Sequence, residues 1–166
     1  GIGMNQDALV TAMRFGSMSP LEVRATQDLG RFGLGLKTAS FSQCRCLTVM
    51  SKKNDVTSCA KWDLDLISRT DGNDNVWPLY LLSENEIEND IELSFLRKEY
   101  FTAKTSGTIV LWKKIDRINE GATNTSHESI FNKTIADVRE HLELVFHRFL
   151  SPESGKSKVE IFFNKN

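Results

Sequence analysis

The longest periodic pattern in the chain lies in residues 127–150. Apolar side chains recur there by alternating steps of four and three residues, at Phe131, Ile135, Val138, Leu142, Val145 and Phe149. This spacing keeps them all on one face of an α-helix, so we expect one long amphipathic helix. Thr125 and Glu128 fit a capping box at its start, and Ser151-Pro152 fits a stop at its end.

Shorter stretches alternate apolar and polar side chains, which is typical of half-buried strands. The clearest is residues 58–67, in which the apolar positions are Ala60, Trp62, Leu64 and Leu66. Composition and alternation also favour strands in residues 46–51, 76–82, 107–115 and 158–165. Pro78 cannot donate a backbone hydrogen bond, so we expect the strand of residues 76–82 to lie at an edge of the sheet.

Two further helices are expected, from the helical spacing of Ala8, Leu9, Ala12 and Met13 and from residues 36–44. Residues 17–29 have no clean period and are typical of a loop, and residues 83–106 permit no assignment. The strands alternate with helices and form hairpin-like pairs. We therefore expect an α+β fold, a two-layer sandwich with helices on one face of a mixed, mostly antiparallel sheet, forming a single domain over residues 1–166.

Composition excludes some classes of partner. The 166 residues carry 21 basic and 22 acidic side chains, so the net charge of −1 creates no global field that would recruit nucleic acid or an anionic membrane. A local basic patch on the surface is compatible with this net charge. No apolar run approaches the roughly 20 residues of a membrane span, and the N-terminus lacks the order of a secretory signal. We expect a cytoplasmic protein without a membrane partner.

The chain has three cysteines, Cys44, Cys46 and Cys59. An odd number without a secretory context argues against a disulfide framework. The histidines lie far along the chain, and none has zinc-finger spacing. We expect reduced, buried thiols and no metal site.

The stretch GRFGLGLKTAS places Gly30, Gly33 and Gly35 shortly before Lys37. Glycines let backbone amides approach an anion closely, and a helix start adds positive partial charge, so a phosphate is the first candidate ligand. The alternative is a glycine-rich turn into a core helix. A P-loop would need glycine directly before the lysine, where Leu36 stands, and a dinucleotide fingerprint spaces its glycines differently.

The order G-x-x-G-x-G resembles the second glycine box of the GHKL superfamily: gyrase, the large ATP-dependent heat-shock chaperones, histidine kinases and the mismatch-repair protein MutL. Two further segments share the resemblance. GIGM, residues 1–4, is similar to the end of the family's D-x-G-x-G box, and SGTIVLW resembles its glycine-threonine box, with Thr108 on the strand beneath the base. The three segments stand in the family order, and the resemblance implies a Bergerat-type ATP-binding fold.

Spacing distinguishes the branches of this superfamily. Histidine kinases place the threonine strand soon after the second glycine box, whereas a long interval separates Gly35 from Thr108 here. The stretch LGRFGLGLKTASFSQCRCLTVMSK is most similar to the Microrchidia-like ATPases and their bacterial relatives. The resemblance therefore favours the chaperone, MutL and Microrchidia branch.

The resemblance implies a set of nucleotide-binding residues. The first glycine box would turn tightly beside the adenine, the second would bind the triphosphate through its backbone amides and a lysine, and the threonine would hydrogen-bond around the adenine. The residues concerned are Gly1, Gly3, Met4, Gly30, Arg31, Phe32, Gly33, Leu34, Gly35, Leu36, Lys37 and Thr108. The alternatives are a glycine turn before a helix, a solvated lysine and an ordinary strand threonine.

The family's catalytic glutamate and magnesium-binding asparagine sit on a helix upstream of the first glycine box, and the adenine-reading aspartate lies just before it. None of them is in this chain, so we assign no catalytic or metal-binding residue. Hydrolysis needs a carboxylate near the attacking water and a metal to neutralise charge. We expect that the chain is a fragment or that another part of the protein supplies these groups.

The resemblance implies an ATP-binding module that uses ATP and Mg²⁺, with a nucleotide-ordered lid that switches conformation or homodimerisation in the intact protein. The sequence does not specify a client protein or a DNA partner. Two alternatives stay open: an interaction module that keeps the fold without using nucleotide, and a histidine-kinase-type catalytic domain, which the spacing disfavours.

Overall fold

The structure is a computed structural model that describes residues 1–14, 34–67, 78–117, 126–152 and 158–163. The chain divides into two compact units, Gly1–Arg117 and Ile118–Asn166. A compact unit is not by itself an independent domain, so the single domain over residues 1–166 stays a prediction.

The first unit is built on an antiparallel sheet. Its described strands are β1 (Cys44–Lys53), β2 (Val56–Asp63), β3 (Tyr80–Leu82) and β4 (Gly107–Ile115), in the order β3-β2-β1-β4. A two-residue turn joins β1 to β2, in which Asn54 and Asp55 adopt φ values of 49° and 66°. Tight hairpins need this left-handed conformation, which Asn and Asp tolerate better than most residues.

The described helices of the first unit are α1 (Gln6–Met13), α2 (Gly35–Phe41), α3 (Leu64–Ile67), α4 (Glu84–Asn89) and α5 (Ile91–Phe101). Those of the second unit are α6 (His127–Val145) and α7 (His147–Leu150).

Successive residues of β1 point to opposite faces of the sheet, which fixes two separate cores. We call the face of Val49 the first face and that of Met50 the second face. On the first face, α1 contributes Leu9 and Met13 to a buried cluster completed by Leu47, Val49, Ala60 and Trp62. The side chain of Phe41, from α2, packs against this cluster.

The second face of the sheet is covered by α4 and α5. Its buried cluster consists of Met50, Cys59, Ile87, Leu93 and Phe101. Helix α4 begins with a capping box formed by Ser83 and Glu86. The second face thus carries a helical layer that the sequence did not reveal.

The expected α+β class, with an antiparallel sheet layered against helices, is confirmed. Helix α1 and the four strands stand where the sequence predicts them, and β3 forms an edge of the sheet as Pro78 suggested. One difference from the predicted layering is that helices cover both faces. Another is that Leu64–Ile67, predicted to extend a strand, forms the helical turn α3.

The second unit contains the long amphipathic helix that the periodicity predicts. Helix α6 begins after Ser126, whose side chain accepts a hydrogen bond from the Ser129 amide, so the N-cap is one residue later than expected. Thr125 lies outside the described residues. The predicted final strand is wrong for Lys158–Phe163, which are described and form none. In the described parts of the chain, no helix combines the length and apolarity needed to cross a membrane.

Candidate functional site

The first glycine box is fixed against two strands of the sheet. Gly3 is buried and has a φ of 65°, a backbone conformation that residues other than glycine rarely adopt. A Cβ at this position would lie 1.8 Å from the carbonyl oxygen of Lys52 and 3.2 Å from the amide nitrogen of Gly107. Only glycine fits here. At Gly1, by contrast, a Cβ would meet no atom within 4 Å.

A buried hydroxyl joins this box to the glycine-threonine box. The Met4 amide donates to Ser51 Oγ at 2.8 Å, while Ser51 Oγ lies 3.0 Å from the carbonyl oxygen of Gly107 and 2.8 Å from Thr108 Oγ1. Ser51 is fully buried in β1, directly opposite Thr108 in the register of β1 and β4. The structure therefore brings Gly3, Met4 and Thr108 of the predicted site together.

Ser51 is a site residue that sequence reasoning missed. It ends the alternating stretch CLTVMS, where a serine looks like an ordinary strand residue. Its role depends on the pairing of β1 with β4, and nothing in the local sequence of either strand fixes that register.

Thr108 lies at the open side of this cluster. The residue is exposed, and it shares the first face of the sheet with Val49 and Val110. Gly1 is held nearby, because its carbonyl oxygen accepts a hydrogen bond of 3.0 Å from the Ser106 hydroxyl. A pocket of about 200 Å³ opens between Gly1, the start of β4 and the end of α5. It is lined by Gly1, Tyr100, Phe101, Lys104, Ser106, Gly107, Thr108 and Ile109.

The second glycine box is described only from Leu34 onward. Gly30, Arg31, Phe32 and Gly33 lie outside the described residues. Gly35 begins α2, and a Cβ there would meet nothing within 4 Å. Leu34 and Leu36, whose amides were predicted to bind phosphate, are exposed.

Lys37 of the second box is almost completely buried, with a 1% exposed side chain. Its Nζ donates hydrogen bonds of 2.8 Å to the carbonyl oxygens of Ala12 and Arg14, at the C-terminal end of α1. A cation is favoured there, because the last carbonyls of a helix lack intrahelical partners. Burial lowers the pKa of Lys37. Because Lys37 is buried, contact with a triphosphate would require its side chain to become accessible, and that role stays a prediction.

The three cysteines are free and buried, as expected. Burial raises the pKa of Cys44 to about 11 and that of Cys59 to about 12, and it also raises the pKa of Cys46. These thiols are therefore protonated at neutral pH and unsuited to nucleophilic chemistry. Within the described residues, no group of three or more His, Cys, Asp or Glu side chains could hold a metal ion.

Comparison with known proteins identifies a family. A family model described as histidine kinase-, DNA gyrase B-, and HSP90-like ATPase matches residues 1–100, from the first glycine box through most of α5. No curated protein matches the chain. The matched segment includes Gly3, Ser51 and Lys37 and ends before Thr108.

Proposed function

Since the chain belongs to the family of histidine kinase-, DNA gyrase B- and HSP90-like ATPases, and so carries an ATP-binding module, we propose that bound ATP switches the intact protein between two states. In the proposed cycle, ATP orders the segment between α1 and α2. The ordered segment then changes dimerisation or engagement of a partner, as expected when binding energy closes a loop. The chaperone, MutL and Microrchidia branch is part of this proposal.

The observation that carries the proposal is the convergence of the two adenine-side motifs on Ser51. Residues 3–4 and 107–108 are far apart in the chain, yet both contact one buried hydroxyl. A tight glycine turn and an exposed threonine then lie side by side on the first face of the sheet. A purine needs such an arrangement, a close backbone surface with a few placed polar groups.

For the triphosphate, we propose the amides of residues 31–36 and Lys37 as binding groups. Lys37 Nζ bonds two carbonyls at the end of α1, so a phosphate that drew Nζ away from them would also loosen the link between α1 and α2. This offers a physical route from the nucleotide to the segment that joins these helices.

Magnesium would arrive with the triphosphate and neutralise part of its charge. The described residues provide no cluster of metal ligands, and we assign Mg²⁺ no ligand among them.

Calorimetric titration of the intact protein with a nonhydrolysable ATP analogue and Mg²⁺ tests the proposal. We expect saturable binding, together with slower proteolysis between α1 and α2 when the analogue is present. The absence of heat and of protection would contradict the proposal and favour an interaction module that does not use nucleotide.

A further inference from the structure

The hydroxyl of Ser51 has three hydrogen-bonding neighbours, and these determine where its proton lies. A serine hydroxyl offers one hydrogen and two acceptor lone pairs. The Met4 amide can only donate, so it occupies one lone pair of Ser51 Oγ. The Gly107 carbonyl oxygen can only accept, so it takes the single Ser51 hydrogen.

The third neighbour, Thr108 Oγ1, must therefore be the donor in its contact of 2.8 Å with Ser51 Oγ. This arrangement uses the hydrogen and both lone pairs of the buried Ser51 hydroxyl. The reverse arrangement would place Ser51 Oγ and the Gly107 carbonyl oxygen 3.0 Å apart with no hydrogen between them. An unpaired contact of this kind is unfavourable in a buried site.

Thr108 is thereby left as an acceptor. Its only hydroxyl hydrogen is directed inward to Ser51, while the residue itself is exposed at the first face. Any ligand that forms a direct hydrogen bond with Thr108 Oγ1 must therefore donate it from an N–H or O–H group. A ligand carbonyl oxygen would face the lone pairs of Oγ1 and form no hydrogen bond.

We propose that Ser51 is a positioning residue that fixes the proton of Thr108 and so makes this site favour a purine with an exocyclic amine over one with a carbonyl at the same place. The inference rests on the proposed function, because it assumes that the base of a nucleotide lies against Thr108. The relevant ligand pair is ATP and inosine triphosphate, in which a carbonyl replaces the exocyclic amine and N1 gains a hydrogen. Purine riboside triphosphate, which lacks the amine and has no hydrogen on N1, is the matched third ligand and should also bind more weakly than ATP. A site with fixed polarity penalises the wrong partner strongly.

The test measures the affinities of the intact protein for nonhydrolysable analogues of both nucleotides. Wild type should favour the adenine analogue. Ser51→Ala frees the Thr108 hydroxyl to turn its hydrogen outward, so the preference should fall by about tenfold, the usual scale of one mismatched buried polar contact. If Ser51 were merely structural, Ser51→Ala would lower the affinities for both nucleotides equally and leave their ratio unchanged. That result would overturn the inference.

Thr108→Val keeps the test decisive if Ser51→Ala fails to fold, because Thr108 is exposed and its replacement leaves the core intact. The preference should fall in Thr108→Val, because valine offers the exocyclic amine no acceptor at this position. An unchanged preference in Thr108→Val overturns the inference.

A matched control is Ser58→Ala, which removes another buried hydroxyl from the position opposite Ser51 on β2. It should leave the preference unaltered, and an equal fall in Ser58→Ala would overturn the inference. Binding of neither nucleotide to wild type would contradict the proposed function itself. If the adenine analogue binds to wild type but Ser51→Ala leaves the ratio of the two affinities unchanged, only the role of Ser51 is contradicted.

Discussion

At the scale of single residues, the site depends on one position where only glycine fits. Gly3 combines a left-handed φ of 65° with a carbonyl oxygen in the space that a side chain would fill. The neighbouring Met4 amide can reach Ser51 only because the chain turns at this point.

Gly3→Ala should therefore destabilise the fold strongly. The Cβ would clash with the Lys52 carbonyl, 1.8 Å away, and backbone must move to relieve the contact. We expect a loss of about 2–4 kcal/mol in the free energy of unfolding, measured by urea denaturation. Gly35→Ala, at an uncrowded helical position, is the control and should keep or slightly raise stability. Equal stabilities of the two variants would contradict the assigned turn.

Lys37→Ala separates the two roles of this lysine. Loss of its hydrogen bonds to Ala12 and Arg14 should lower the free energy of unfolding by about 1–3 kcal/mol. If Nζ also reaches the phosphates, affinity for ATP should fall more than affinity for adenosine in calorimetric titrations. Equal losses for the two ligands would count against the phosphate role. Lys98→Ala, in an exposed part of α5, should change neither quantity.

Cys59 should make stability depend on pH. Burial raises its pKa from the ordinary 9.0 to about 12, so the folded state holds the thiol proton more tightly than the unfolded chain. Its contribution is fully present below about pH 9 and is lost as the pH rises through the folded pKa. The difference in unfolding free energy between wild type and Cys59→Ala should thus shrink from pH 9 to pH 10.5. A constant difference would contradict this burial.

At the scale of elements, the strands were predictable because each carries a local signal. In β2 this is an alternation of apolar and polar residues, and in β4 it is a run of β-branched and aromatic residues. The helices α4 and α5 were not predictable. The core contacts of α5 come from Leu93, Leu96 and Phe101, while Ile91 and Phe95 are 84% and 60% exposed, so apolar residues lie on both sides of the helix and blur its period. The pair Ser83 and Glu86 was the available signal for α4.

Phe101→Ala tests whether α5 anchors the second face. Phe101 is 4% exposed and packs in the cluster with Met50 and Leu93. Its truncation should lower the free energy of unfolding by about 3–5 kcal/mol in urea denaturation. Phe95→Ala removes the same ring from the exposed side of the same helix and should change stability by less than about 0.5 kcal/mol. Similar losses in both variants would contradict the assigned orientation of α5.

At the scale of the whole molecule, the sequence predicted the family motifs but not how they meet. Gly3 and Thr108 were identified from the order of glycine boxes, whereas Ser51 became visible only through the register that places it opposite Thr108. The same holds for Lys37, whose partners at the end of α1 are set by tertiary packing. The predicted binding residues Gly30 to Gly33 lie outside the described part of the chain.

We expect the base of ATP to lie against Thr108 and the first glycine box. A crystal structure of the intact protein with a nonhydrolysable ATP analogue tests this expectation most directly, through the distance from the base to Thr108 Oγ1. We predict contact with Thr108, directly or through one water, with the triphosphate near Lys37. An analogue bound elsewhere, or a first face closed by other parts of the protein, would contradict the account.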